Sequence, residues 1–371
     1  MTEYEFVSVV TGDRAGGRVS TMREVAALAG VSGKTVSRVM RGDRYVSDEV
    51  RGRVERAIAE LRYVPNVLAR TFRSGSDNAI GVAVPDISDP FFAAAIHEVE
   101  AIARARGSAV IVTSLGDDGV HERAGVEALL GRQLAGLIST PISRDQSYLE
   151  PWVSRTAVVF IDRPPTGIKA DSVIADDVGG AQRATAHLIE HGHRRIAYIG
   201  DTLDIATIAR RLQGYRKALA AAGIPFDPHL VALEATQGTS ASDLTLRLLS
   251  APDPPTAIFS STVRCSIGVV PALQSVDRTD VTLISFGDFP LATSLRPALT
   301  VVDQDPSRIG RVAATRLFER LDHPRKRLKR HVVLPVELVL RASCCGAEAG
   351  SVRTARPTRP AETGAAVPVA T

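Results

Sequence analysis

Between Asn78 and Arg341 the chain alternates short apolar runs with longer amphipathic stretches. AIGVAVP (79–85), SAVIVTSL (108–115), LAGLIST (134–140), AVVFID (157–162), RIAYIG (195–200), AIFSS (257–261) and VTLISFG (281–287) are apolar almost throughout, as strands buried on both faces are. Between them FFAAAIHEVEAIARARG (91–107), ERAGVEALLGRQ (122–133), GGAQRATAHLIEHGH (179–193), RRLQGYRKALAAAG (210–223) and SRIGRVAATRLFERL (307–321) space their apolar residues as helices do. Such βαβ alternation predicts two doubly wound parallel-sheet lobes over 78–341, with ligand sites where loops meet at the carboxyl ends of the strands. VVLPVELVLR (332–341) reads as the last folded segment. Residues 342–371, rich in Ala, Gly, Pro, Thr and Ser, read as a disordered tail, without the leucine heptads of an oligomerising zipper.

The pattern is different before Asn78. Residues 1–19 lack periodicity and read as a flexible arm, and 20–64 read as three short helices. Thr21 followed by Glu24 is a capping box, with Val25, Ala26, Leu28 and Ala29 as the apolar face behind it. Gly30 breaks that helix. Ser32 caps a second, in which Val36 and Val39 turn inward while Gly33, Lys34, Ser37, Arg38 and Arg41 turn outward. Ser47 caps a third helix whose Val50, Val54, Ala57, Ile58 and Leu61 close a small core against Val25, Leu28, Val36 and Val39. Two helices around a tight turn, the second with a small, polar and basic face, form a helix-turn-helix. Such a face fits the major groove of B-DNA, where each good bidentate Arg or Lys contact to guanine discriminates by about 1–3 kcal/mol. In 65–77, Pro65 at a helix start and Leu68 four residues before Phe72 suggest a hinge helix, too short to persist alone; Ser74-Gly75-Ser76 fits a plain linker equally well.

Charge strengthens the first reading. The net charge is +4 over 371 residues, but 20–73 alone carries eleven basic and six acidic side chains, or +5, so the remainder is close to neutral. A basic head on a neutral body is what phosphate binding by one module produces. No apolar run approaches the ~18 residues of a membrane helix, and the first residues do not resemble a secretion signal, so a soluble cytoplasmic protein is expected. Cys265, Cys344 and Cys345 make neither a disulfide framework nor a metal spacing. His187, His191 and His193 place two imidazoles one turn apart without a further ligand, and RKRLKR (325–330) reads as a solvated loop. No phosphate loop, dinucleotide fingerprint or nucleophile elbow occurs, so neither an enzyme nor a cofactor is expected. The rival class is a transport-type binding protein, which would carry a signal peptide and no basic head.

TMREVAALAGVSGKTVSRVMRG, RYVPNVLARTF, IGVAVPDISDPFF, VVFIDRP, HLIEHGHRRIAYIG and LRPALTVVDQ, in this order across 20–341, resemble the lac/galactose repressor family of transcription factors. The resemblance implies a homodimer reading an inverted-repeat operator, with Gly33, Lys34 and Arg38 toward bases and Thr21, Ser37, Ser47 and Asn66 at phosphates. It also implies a hinge helix in the minor groove, around Ala69, that wedges apart the central base step. The family's usual leucine is here Phe72, beside Arg73. The large module resembles a periplasmic sugar-binding protein closing on an effector. Asp86, Asp89, Phe91, Phe92, Asp162, Arg163 and Gln304 fit that pattern, whereas the second lobe departs from it. The usual arginine falls at Ala209 beside Arg210, an Asn-Asp pair becomes Thr262-Val263, and the first Asp of a Phe-Asp-Asp run becomes Gly287, next to Asp288. With three polar anchors missing, an ordinary hexose or pentose should bind poorly, since each unpaired buried hydroxyl costs about 1–3 kcal/mol. An atypical effector, with Arg163 and Arg210 toward an anionic group, is the expectation. A conventional sugar and no effector at all stay open.

Overall fold

A computed structural model describes residues 20–40, 42–63, 79–117, 119–233 and 240–344. The chain divides into two compact units, 1–76 and 77–371.

In the first unit, α1 (Met22–Ala29), α2 (Gly33–Met40) and α3 (Asp48–Glu60) follow the capping residues. The Thr21 hydroxyl accepts from the Glu24 amide while the Glu24 carboxylate accepts from the Thr21 amide at 2.7 Å, so the capping box is complete. Gly30 ends α1 in left-handed backbone at φ 64°. Ser32 Oγ accepts from the Thr35 amide and Ser47 Oγ from the Val50 amide. Val25, Ala26, Ala29, Val36, Val39, Val46, Val54 and Ala57 form the core. Leu28 does not join it: the side chain is 48% exposed. The buried stripe of α1 runs through Val25, Ala26 and Ala29, with Met22 packed against it, and Leu28 falls beside that stripe. Val46, from the turn before α3, fills the core instead.

The second unit has two lobes. The first is a six-stranded sheet of β1 (Ala79–Val84), β2 (Ala109–Ser114), β3 (Gly136–Ser139), β4 (Ala157–Ile161), β5 (Asp171–Ala175) and β11 (His331–Leu334), in the order β11-β5-β4-β3-β1-β2, all parallel. Its helices are α4 (Pro90–Ala105), α5 (Glu122–Leu130), the short α6 (Glu150–Val153) and α11 (Pro306–Asp322), which packs along α4. The second sheet joins β6 (Ile196–Ile199), β7 (Val231–Ala232), β8 (Ala257–Ser260), β9 (Thr282–Phe286), β10 (Thr300–Asp303) and β12 (Glu337–Val339), in the order β12-β10-β9-β8-β6-β7, with β12 antiparallel. Around it lie α7 (Asp177–Glu190), α8 (Ala206–Ala221), α9 (Ala241–Leu249) and α10 (Val263–Ser275). The chain passes between lobes at 175–177, 303–306 and 334–337. At the last of these Pro335, which has no amide N–H to give a sheet, divides the last folded segment, 332–341, into β11 and β12 of different lobes.

β5, α9 and α10 are absent from the sequence expectation for physical reasons. β5 opens with buried polar residues: Asp171 accepts Arg320 Nε at 2.7 Å and Ser172 bonds His331 Nδ1 at 2.8 Å, so its apolar run is too short to stand out. α10 holds Pro271 in its interior, an ordinary helix breaker. α9 is set by a second capping box, Ser240 with Asp243. Among the described residues no helix is long and apolar enough to cross a membrane.

Candidate functional site

On the head, α2 holds Val36 and Val39 in the core, which leaves Lys34 exposed and Gly33, Ser37 and Arg38 partly exposed along one face. Arg38 is pre-positioned: its Nε donates to Asp43 Oδ2 at 2.8 Å. The turn that carries Asp43 is itself fixed, because Asp43 O accepts Arg51 Nη2 at 2.9 Å and Asp43 Oδ1 accepts the Tyr45 amide. Thr21 and Ser47 sit at the starts of α1 and α3, where free amides make a helix N-terminus attractive to phosphate. Arg41, Asn66, Ala69, Phe72 and Arg73 lie outside the described residues.

In the second unit a cleft opens between the lobes. The first lobe contributes the loop after β1 and the start of α4. Asp86 accepts the amide and hydroxyl of Ser88, bonds that hold its carboxyl below the ordinary carboxylate range. Asp89 caps α4 by accepting the Phe91 amide at 2.9 Å, and burial pushes its carboxyl up. Phe91 and Phe92 follow, edge to face at 5.0 Å. After β4, Asp162 stands in left-handed backbone at φ 66° and accepts Arg163 Nε at 3.0 Å. Arg163 Nη1 donates to Pro141 O. Gln304, at a crossover and 5% exposed, lines the floor.

The second-lobe wall corrects the sequence expectation. Arg210 does not line the cleft; Arg211 does. Residues 207, 208, 211, 212 and 215 are the buried face of α8, which leaves Ala209 exposed and Arg210 half-buried. Arg211 Nε donates to Asp177 Oδ1 at 2.8 Å and Nη1 to Ser261 O at 2.7 Å, with the guanidinium 3.9 Å from the Phe286 ring centre. Burial pushes the Asp177 carboxyl up to about 6 against the pull of Arg211. Asp288 also lies outside the lining, because Arg341 Nη1 and Nη2 grip its carboxylate from the other side. Thr262 does line it, its hydroxyl capping α10 through the Cys265 amide.

The two remaining departures answer each other. A Cβ on Gly287, at φ +103°, would stand 2.7 Å from Val263 Cγ2, so the valine methyl occupies the space a side chain at 287 would need. The wall is nevertheless polar, since Asp201, Thr207 and Arg264 line it as well. Arg264 Nη1 bonds Asp117 Oδ2 at 2.7 Å and Nη2 bonds Asp201 Oδ2 at 3.0 Å. Arg163, Arg211 and Arg264 are thus all paired with aspartates. His187 and His191 lie with ring centres 4.2 Å apart and planes tilted by 46°, and no cluster able to hold a metal ion occurs among the described residues.

A groove-sized basic helix in one module and a two-lobed polar cleft in the other define a ligand-responsive DNA-binding regulator. The model of bacterial regulatory proteins of the lacI family matches residues 21–66, and that of the periplasmic binding protein-like domain matches 185–344. The chain is 32% identical over 330 residues to the ribose operon repressor of Haemophilus influenzae, across 88% of this chain and 98% of that one. To the HTH-type transcriptional regulator CelR of Thermobifida fusca it is 33% identical over 347 residues, across 90% and 99%. The solved lac repressor dimer bound to operator and the anti-inducer ONPF superposes with TM-score 0.77 at 26% identity, over 88% of this chain and 99% of that one. A CelR–cellobiose complex superposes with TM-score 0.63 at 30% identity, over 87% and 99%. The chain belongs to the lacI family of bacterial regulatory proteins: it is a DNA-binding transcriptional repressor with a small-molecule effector, not an enzyme.

Proposed function

We propose that the protein acts as a homodimer whose two heads each lay α2 in the major groove of one half of an inverted-repeat operator. The observation that carries this reading is the division of α2, with Val36 and Val39 buried and Lys34, Ser37 and Arg38 facing outward between capped neighbours. In this reading Gly33, Lys34 and Arg38 face bases, Arg41 extends the basic surface, and Thr21, Ser37 and Ser47 meet phosphates. The segment with Asn66, Ala69, Phe72 and Arg73 enters the minor groove and Phe72 parts a base step, at a few kcal/mol offset by wider contact. Dimerisation is supported by the edge strand β2. Its Val110, Ile111 and Val112 are half-exposed beside Ile96 of α4, and an apolar sheet edge of this kind calls for a cover. Band shifts test the reading: inverted-repeat duplexes should bind, and Phe72→Ala should cut specific affinity while sparing nonspecific binding. Equal loss on both DNAs would remove the wedge.

The effector proposed for the cleft is a neutral, hydroxyl-bearing molecule of about sugar size. Asp86, Asp89 and Gln304 can accept from hydroxyls, while the guanidinium groups a phosphate would seek are already neutralised. That relatives carry ribose and cellobiose in their names points the same way. Calorimetric titration with neutral sugars and sugar phosphates separates the possibilities. Micromolar binding of a neutral sugar supports the reading, and binding of phosphorylated compounds alone contradicts it.

A further inference from the structure

We propose that Arg264 is a built-in latch that holds the two lobes together across the cleft; the proposal rests on reading the cleft as the effector site. Arg264 and its tether Asp201 both belong to the second lobe, at the start of α10 and just after β6. Asp117 belongs to the first, beyond the end of β2. The Asp201 side chain is 4% exposed and holds Nη2 at 3.0 Å, so the guanidinium is oriented before the lobes meet. Its other nitrogen, Nη1, then reaches Asp117 across the cleft at 2.7 Å. A planar fork with two donors can grip two carboxylates at once, which an ammonium point charge does less well.

Charge gives the latch its purpose. The first-lobe side of the cleft carries Asp86, Asp89, Asp117 and Asp162, and Asp201 faces it from the second. Arg163 is spent on its neighbour Asp162 and Arg211 on Asp177 within its own lobe. Arg264 is therefore the lining cation that meets both walls, and without it carboxylates oppose each other across the gap. A second pair, Arg144 with Asp204, also bridges the lobes, but its side chains are 80% and 63% exposed, and such pairs hold little in water. Since an effector shifts an equilibrium only by its preference for one state, a protein already latched responds weakly until Arg264 lets go.

The test measures closure itself, without DNA. Spin labels on Glu150→Cys in the first lobe and Leu203→Cys in the second, both exposed, report the opening in a full-length Cys345→Ser background. The effector-free protein should show mainly the short distance. Asp117→Asn, which leaves the Asp201 tether intact, and Arg264→Gln should each lower the closed-to-open ratio about two- to fivefold, the range for a partly exposed ion pair. Asp117→Glu should restore it, and salt should open the parent but not the Asp117→Asn protein. Identical distance distributions in the parent and both charge-removing variants, each checked for an unchanged urea midpoint, would overturn the latch. Because no DNA or effector enters the measurement, failure of the operator or effector reading shows up separately, in band shifts and calorimetry.

Discussion

Gly310→Ala tests whether α4 and α11 pack as closely as described, and whether that packing positions the effector site. Gly310 lies inside α11, and a Cβ there would stand 2.2 Å from Ala95 O, 2.8 Å from Ala95 C and 2.9 Å from Ala95 Cα in α4. All three are backbone atoms, so no side chain can turn away. To restore ordinary contact the helices must part by about 1 Å, and overpacking of this kind costs about 1–3 kcal/mol. A 2.2 Å clash with backbone belongs at the upper end of that cost, and alanine returns up to about 1 kcal/mol through helix propensity, so a net loss of about 2 kcal/mol is expected. α4 begins at the Asp89 cap with Phe91 and Phe92, so the same displacement moves three residues lining the cleft. Urea unfolding followed by the fluorescence of Trp152, the single tryptophan, reads the stability of the first lobe, and calorimetry with the effector reads the site. Loss of affinity should accompany loss of stability. A variant as stable as the parent, with unchanged effector affinity, would refute the close packing.

Further outcomes follow from the caps, the carboxylates and the basic face. Thr21→Ala removes one half of the capping box and should destabilise the head by about 1 kcal/mol, read as a lower first transition in a circular-dichroism melt; an unshifted transition would contradict the cap's role. Burial raises the pKa of Asp89, so its carboxylate is present above that raised value and lost as pH falls through it. Effector affinity should accordingly fall on acidification at a higher pH than for an ordinary aspartate, and Asp89→Asn should abolish that dependence; parallel pH profiles for the two proteins would contradict it. Lys34→Ala should change base preference among selected operators, whereas a uniform loss on all sequences with a salt slope smaller by about 1 would mark Lys34 as a phosphate contact.

The parts legible in the sequence are those set by local rules. Thr21 with Glu24, and Ser47, fix where α1 and α3 begin, and the apolar runs of β1, β3 and β4 identify themselves because both faces are buried. β5 hides because its polar residues find partners only in the folded lobe. The displaced arginine was within reach of helical phase: Ile208, Leu212, Tyr215 and Leu219 make a buried stripe on α8. At 100° per residue Arg211 lies on its flank and Arg210 on the far side. Asp117, Asp201 and Arg264 carry no such signal. Arg264 is 147 positions from one partner and 63 from the other, and only the strand order of the two sheets brings them together.

The central claim is that a groove-sized head gives this receptor its sequence preference. The direct measurement is an equilibrium titration of the full-length protein, at physiological ionic strength, against twofold-symmetric duplexes selected from a random pool and against unselected duplexes of the same length. The account predicts tighter binding to the symmetric duplexes by about a thousandfold or more. Equal affinity for the two sets would contradict it.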